Sequence, residues 1–357
     1  MALQESPLQT GAAVFVERHG YQLPAFYSDF ASEYEAATTA LGVHDATYMG
    51  RLKATGEDGL DLLNRLSTNK VVDLAAGEGA VTVLTTDRGR IVDVLGVVNQ
   101  GDYVILLTSP GRQQAVIEWL DKYTIMEDLT VEDITPETAM MALVGPDSGK
   151  LLGLTSTPRS HALDSLTIQP VRLGGIDALA VEQPLGALSR HWLIAAPDAA
   201  AGLWRHLTDN GATPIGATAM DALRVNFGVP EYGPELGEPY NPLEAGLIGS
   251  VDFAKGCYIG QEVIARLDTY KKVQKYLVSL RFAADASVSP GDALLQDGQP
   301  AGTITSVAPA PSEGILKGLG YVKAAMATLG ARLDVEGAEK SSAEIVALAQ
   351  PFGPAKE

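Results

Sequence analysis

The chain has 357 residues, with 26 basic against 44 acidic side chains and a formal net charge of −18. A hydrophobic fraction of 46%, a charged fraction of 20% and a mean hydropathy of +0.08 exclude a collagen-like repeat, extended disorder and a disulfide-framed miniprotein. The acidic balance, with an isoelectric point near 4.7, argues against direct nucleic-acid binding and against attachment to an anionic membrane.

At the N-terminus, Glu5 interrupts a stretch with no apolar run long enough for a secretion signal, and no segment is apolar enough to span a bilayer. A cytoplasmic, reducing setting is the expectation. Residues 28–41 read as a helix capped by Ser28 or Asp29, with Phe30, Tyr34 and Ala37 on one face. A short strand at 51–55 runs into a helix over 56–66 that Asp58 is placed to cap, with Leu60, Leu62, Leu63 and Leu66 facing the core. Strands at 80–85 and 91–98, joined through Asp87-Arg88-Gly89, read as a hairpin. A strand at 103–109, an amphipathic helix from Gln113 to Tyr123 and a buried strand at 140–146 follow. Helices alternating with hairpins predict an α+β architecture rather than a doubly wound parallel sheet. Beyond residue 275 come short strands and Gly or Pro turns, Asp297-Gly298 among them, which predict a small antiparallel barrel over 275–357 behind a body of 1–274.

Cys257 is the only cysteine, so neither an intrachain disulfide nor a cysteine-based zinc site can form within one chain. His19, His44, His161, His191 and His206 show no metal-binding spacing, and no metal site is expected. Residues 255–267 carry the densest chemistry. Ile259, Val263, Ile264 and Leu267 fall at helical spacing, so Gly260 or Gln261 opens a helix, and Gly256 and Gly260 free the loop before it. Cys257 then stands just ahead of a helix N-terminus beside Lys255, where dipole and cation favour the thiolate. Its other reading is a small apolar residue in a packed loop. Across 251–275, Lys255, Arg266, Lys271, Lys272 and Lys275 face Asp252, Glu262 and Asp268. That cationic island suits an acidic ligand tail or partner, or else is a solvated linker. Trp119, Trp192 and Trp204 are either stacking platforms or core, and His191 and His206 are structural or exposed.

The run Lys255-Gly256-Cys257-Tyr258-Ile259-Gly260-Gln261-Glu262, followed by Arg266, resembles the K-G-C-[FYW]-x-G-Q-E-x-x-x-R signature of the YgfZ proteins. These are folate-binding relatives of the glycine-cleavage aminomethyltransferase, the T-protein. Residues 41–74, 217–240 and 241–249 are similar to other segments of that superfamily, so the resemblance spans essentially the whole chain.

The resemblance implies a three-module clover leaf, its first two modules interleaved in the body and its third a barrel, with tetrahydrofolate or another reduced folate in a central cleft. It implies catalytic roles for Cys257 and Asp93, and cofactor binding by Asp93, Arg224, Lys255, Tyr258, Gln261, Glu262 and Arg266. Gly89–Leu95 resembles the T-protein G-G-I-I-D-D-L stretch, with Asp93 at the first aspartate and Val94 replacing the second. Further departures are Val81 for an aromatic, Trp192 for a pterin-binding glutamate and Met220 for an arginine, while Asp221 and Arg224 are kept. The function so implied is that of an accessory protein supporting assembly or repair of iron–sulfur clusters in other enzymes, tRNA-thiolating ones among them. The alternatives are an aminomethyltransferase making methylene-tetrahydrofolate from a lipoyl carrier protein, and a folate-sensing module in which Cys257 is inert.

Overall fold

The computed structural model describes residues 4–5, 8, 14–154, 165–336 and 341–348; His161 lies outside them. Among these, eleven strands form one sheet in the spatial order Thr213–Pro214, Gly42–Asp45, Ala139–Val144, Arg190–Ala195, Ile176–Glu182, Ser165–Leu173, Glu78–Thr85, Ile91–Asn99, Val104–Thr108, Gly50–Thr55 and Thr130–Asp133. Every pairing but that of Thr213–Pro214 with Gly42–Asp45 is antiparallel. The α+β reading therefore holds.

The period of two along each strand divides the sheet between its cores. Leu95, Val97 and Leu106 turn to a core shared with Leu62, Leu63 and Leu66 of helix Gly59–Leu66 and Val116 and Leu120 of helix Gln113–Asp121. Met141, Leu143 and Leu193 pack under helix Ala200–Asp209 with Leu203, Trp204 and Leu207. Their neighbours Met140, Ala142, Val144, Trp192 and Val98 face the opposite way, into a third core with Ala219, Ala222 and Leu223 of helix Ala217–Asn226.

Helix Phe30–Thr39 starts where Asp29 accepts the Ser32 N–H at 3.0 Å. Within its first turn Glu33 is wholly buried and accepts the N–H groups of Tyr27, Ser28 and Gly216 at 2.5, 2.7 and 2.8 Å. Asp58 occupies the N-cap position of Gly59–Leu66 without capping it; its carboxylate accepts the Asp128 N–H at 2.8 Å and holds a neighbouring loop instead.

The barrel begins at Lys275–Phe282 and closes on itself through Ile315–Lys323, Gln299–Ala310, Ala293–Gln296, Arg332–Val335 and Ser342–Leu348. Asp297 (φ 50°) and Gly298 (φ 73°) make the two-residue turn that their sequence announces. Leu277, Ala308, Leu319 and Tyr321 of the barrel enter the third core, so body and barrel share buried surface. No described helix is long and apolar enough to cross a membrane.

Candidate functional site

A cavity of about 200 Å³ opens where the two halves of the large sheet meet helix Ala217–Asn226. Val94, Gly96 and Leu107 line it from one half, Arg190 and Trp192 from the other, and Met220, Asp221 and Arg224 from the helix. Arg18 and His19 reach it from a hairpin tip. Strands Val14–Arg18 and Tyr21–Phe26 are joined by His19 (φ 55°) and Gly20 (φ 80°), both left-handed as such a turn requires. Sequence reasoning passed over this hairpin, although a His-Gly pair between two partly alternating runs was its signal. All described wall residues come from the body. The barrel acts at one remove, through Ser306, whose Oγ accepts from Arg224 Nη2 at 3.0 Å and donates to Glu235 at 2.6 Å.

One side of the cavity is a closed set of ion pairs. Arg18 meets Asp221 at 2.8 Å and Glu231 at 3.6 Å, and His19 Nε2 lies 2.8 Å from Glu231. Arg224 reaches Asp221 at 2.7 Å, Glu231 at 3.0 Å and the buried Glu235 at 3.2 Å. Burial alone would push the Glu231 carboxyl up; the His19 hydrogen bond and the charges of Arg224 and Arg18 override it and hold the group at about 2. The other side is aromatic. Tyr48 stacks on His19 with ring centres 5.3 Å apart, and the Arg190 guanidinium lies 4.1 Å from the Trp192 ring centre. Tyr232 also lines the cavity, and the Arg112 guanidinium lies 4.4 Å from its ring centre.

The residues expected at the site separate into three places. Asp93 is fully buried behind the wall, where its carboxylate accepts the Val94 N–H at 2.9 Å and the Ser109 N–H at 3.1 Å. Strand alternation sends Val94 to the cavity, so the position that lost its carboxylate is the one in the wall. Burial raises the Asp93 carboxyl to about 6, against these hydrogen bonds and the Arg112 charge. Arg224 is in the wall, but Asp221, Glu231, Glu235 and Ser306 take up its guanidinium.

None of Lys255, Cys257, Tyr258, Gln261, Glu262 and Arg266 lines the cavity. Their loop docks outside it: the Ile259 N–H donates to the Arg65 carbonyl at 3.0 Å, and Thr85 Oγ1 donates to the Ile259 carbonyl at 2.6 Å. Helix Gln261–Thr269 does open at Gly260, as its spacing predicts. Lys255 does not keep its charge for the thiol. Its ammonium turns inward and donates to the carbonyls of Asn64, Ser67 and Asn69 at 2.7, 2.8 and 2.6 Å, closing the end of helix Gly59–Leu66. Burial lowers its pKa to about 8. Cys257 is exposed and makes no hydrogen bond among the described residues. Tyr258 packs with Leu243, Val251 and Ile264, and burial raises its hydroxyl to about 12. Gln261 is partly buried, while Glu262 and Arg266 are exposed. The cationic island also thins: Lys271 pairs with Asp268 at 2.8 Å and Lys275 lies 4.3 Å from the Tyr240 ring centre. Arg18, His19, Tyr48, Arg190, Glu231 and Tyr232 were not singled out from sequence, because no short motif joins positions this far apart.

Comparison with known proteins places this architecture. The chain is 31% identical over 303 residues to a chloroplastic Arabidopsis thaliana protein named as a transferase, covering 83% of this chain and 68% of that one. It is 28% identical to the aminomethyltransferase of Cutibacterium acnes, over 94% of both chains, and 30% identical to that of Herpetosiphon aurantiacus, over 90% of both. The crystal structure of aminomethyltransferase T from Bartonella henselae superposes with a TM-score of 0.85 at 19% identity, covering 99% of this chain and 100% of that one, which establishes the shared fold. Residues 6–255 match the GCVT N-terminal domain and residues 275–352 the glycine cleavage T-protein C-terminal barrel domain, and the chain belongs to the glycine cleavage T-protein family.

Proposed function

We propose that the protein binds a reduced folate in the central cavity and serves one-carbon transfer of the aminomethyltransferase kind. The carrying observation is a wall that joins aromatic faces to an ordered set of charges. A flat heterocycle needs ring surfaces such as Trp192, Tyr48 and Tyr232, and its polar edges need fixed donors and acceptors, which the cluster of Asp221, Glu231, Arg18 and His19 supplies. The donor set therefore fits the cofactor that the family resemblance implies, and the aminomethyltransferase relatives favour the same reading. Calorimetric titration with tetrahydrofolate tests it. Binding that weakens about tenfold on Trp192→Ala supports the assignment, since ring stacking is worth about 1 kcal/mol or more. Absence of binding by the wild type overturns it.

A second reading rests on Val94, which puts an apolar side chain in the cavity wall, and on the exposed Cys257 outside it. Under it the folate-loaded protein is an accessory factor of the YgfZ kind, serving iron–sulfur enzymes, tRNA-thiolating ones among them, and no lipoyl carrier protein is engaged. Aminomethyl transfer from a lipoyl carrier to tetrahydrofolate separates the two. Turnover supports the first. The second is supported by folate binding without turnover, together with loss of an iron–sulfur enzyme's activity on gene deletion that Cys257→Ser does not restore.

A further inference from the structure

His44 is a buried titratable side chain that the cavity chemistry above leaves unused, and its two ring nitrogens fix the state of a wall residue. Its Nδ1 lies 3.0 Å from the Ile215 carbonyl, which only accepts, so Nδ1 carries the hydrogen. Burial lowers the pKa of the ring to about 4, so at neutral pH Nε2 is a bare lone pair. Tyr48 Oη lies 3.3 Å from that nitrogen and donates to it. The phenol keeps its hydrogen to give: burial and the Glu231 charge hold its pKa well above the ordinary range, against Arg18 and Arg190. With that hydrogen spent on His44, the Tyr48 oxygen has lone pairs only, and it takes no hydrogen bond from the described residues. Tyr48 stands in the cavity wall with Arg18, Arg190 and Glu231.

We propose that Tyr48, locked by His44 as a hydrogen-bond acceptor, makes the cavity selective for a reduced ring. This assignment rests on the folate reading above. The amino-pyrimidinone edge of a pterin presents its N–H groups as an adjacent pair, which a carboxylate such as Asp221 or Glu231 matches with two oxygens. A single phenol oxygen matches an isolated N–H instead. A pterin offers one only when reduced, because N5 and N8 carry hydrogens in the tetrahydro ring and bare lone pairs in the fully oxidised ring. The locked acceptor attracts the first and repels the second. Tyr48 is then the specificity residue, and His44 a positioning residue that acts through it.

Wild type, Tyr48→Phe, His44→Phe and His44→Gln are titrated with tetrahydrofolate under reducing conditions and with folic acid, whose ring is fully oxidised. Thermal melts check that each variant is folded. Tyr48→Phe should weaken tetrahydrofolate about threefold to tenfold and leave folic acid as tight as before or tighter. His44→Phe frees the phenol hydrogen to meet a bare ring nitrogen, so it should tighten folic acid and weaken tetrahydrofolate. His44→Gln, whose amide oxygen can still accept from the phenol, should keep the wild-type preference. Equal weakening of both ligands by Tyr48→Phe, or no effect on either, overturns the assignment. So does a preference that His44→Phe leaves unchanged, or that His44→Gln changes as much as His44→Phe. If His44→Phe fails to fold, Tyr48→Phe alone decides. In each of these cases wild-type binding of tetrahydrofolate keeps the folate reading in place; a wild type that binds neither ligand overturns both.

Discussion

Asp93 shows how a residue that matches a motif can do different work from the one the motif suggests. Its carboxylate is sealed behind Val94 and braces Ser109, a wall residue, so its direct effect is to position the wall. Its raised pKa of about 6 also makes it a cost at neutral pH. Below about pH 4 the carboxyl is protonated in both folded and unfolded chains and contributes nothing. Between about pH 4 and 6 the folded chain keeps a proton that the unfolded chain has released, so stability falls as pH rises. Above the folded-state value the full penalty applies, on the order of 3 kcal/mol for a shift of about two units. His44 runs the other way, because burial lowers it to about 4 and its contribution is lost as pH falls below about 6.5. Comparing Asp93→Asn with wild type cancels His44, which both proteins share. Urea denaturation should show the variant gaining on wild type by about 3 kcal/mol between pH 4 and pH 7. A difference that does not change with pH rules this account out.

At the scale of elements, the loop before helix Gln261–Thr269 shows which glycines the fold requires. Gly256 and Gly260 look alike in sequence. A Cβ on Gly256 would meet nothing, whereas one on Gly260 would lie 2.5 Å from the Thr86 carbonyl oxygen and 3.0 Å from Gly89 Cα, at φ +84°. Gly260 is therefore the point where the loop is pressed onto the Asp87–Gly89 turn of the central hairpin. Gly260→Ala combines a left-handed strain of about 1–2 kcal/mol with a backbone clash of similar size. A loss of about 2–4 kcal/mol is expected in chemical denaturation, against less than about 0.5 kcal/mol for Gly256→Ala. Equal effects would mean that the loop is not docked as described. This element was legible in advance because helical spacing and the glycines are local signals. What Lys255 does was not: its three carbonyl partners lie 186 to 191 residues away in sequence.

The same divide governs the whole molecule. The main helices of the body's first half, the hairpin at 78–99 and the barrel turns were readable because periodicity, caps and turn residues act over a few positions. The cavity was not, since the sheet order brings Val94 opposite Trp192 and the hairpin at 14–26 across to Asp221 and Glu231. The joint between body and barrel is non-local too, and it tests whether the chain behaves as one unit. Ser306 of the barrel bridges Arg224 and the wholly buried Glu235, and Tyr321 OH donates to the Glu235 carbonyl at 2.7 Å. With Leu277, Leu319 and Tyr321 in the core they share with Ala219, Ala222 and Leu223, the barrel cannot leave without exposing apolar surface of the body. Ser306→Ala strands a buried carboxylate oxygen and a guanidinium N–H, a loss on the order of 2–3 kcal/mol. Trp119, Trp192 and Trp204 all lie in the body, so their fluorescence follows the body, while far-ultraviolet dichroism follows both parts. The two signals should coincide in wild type and, at a lower urea midpoint, in the variant. If dichroism falls first while fluorescence keeps its wild-type midpoint, the barrel melts by itself, and the shared core is not what integrates the molecule.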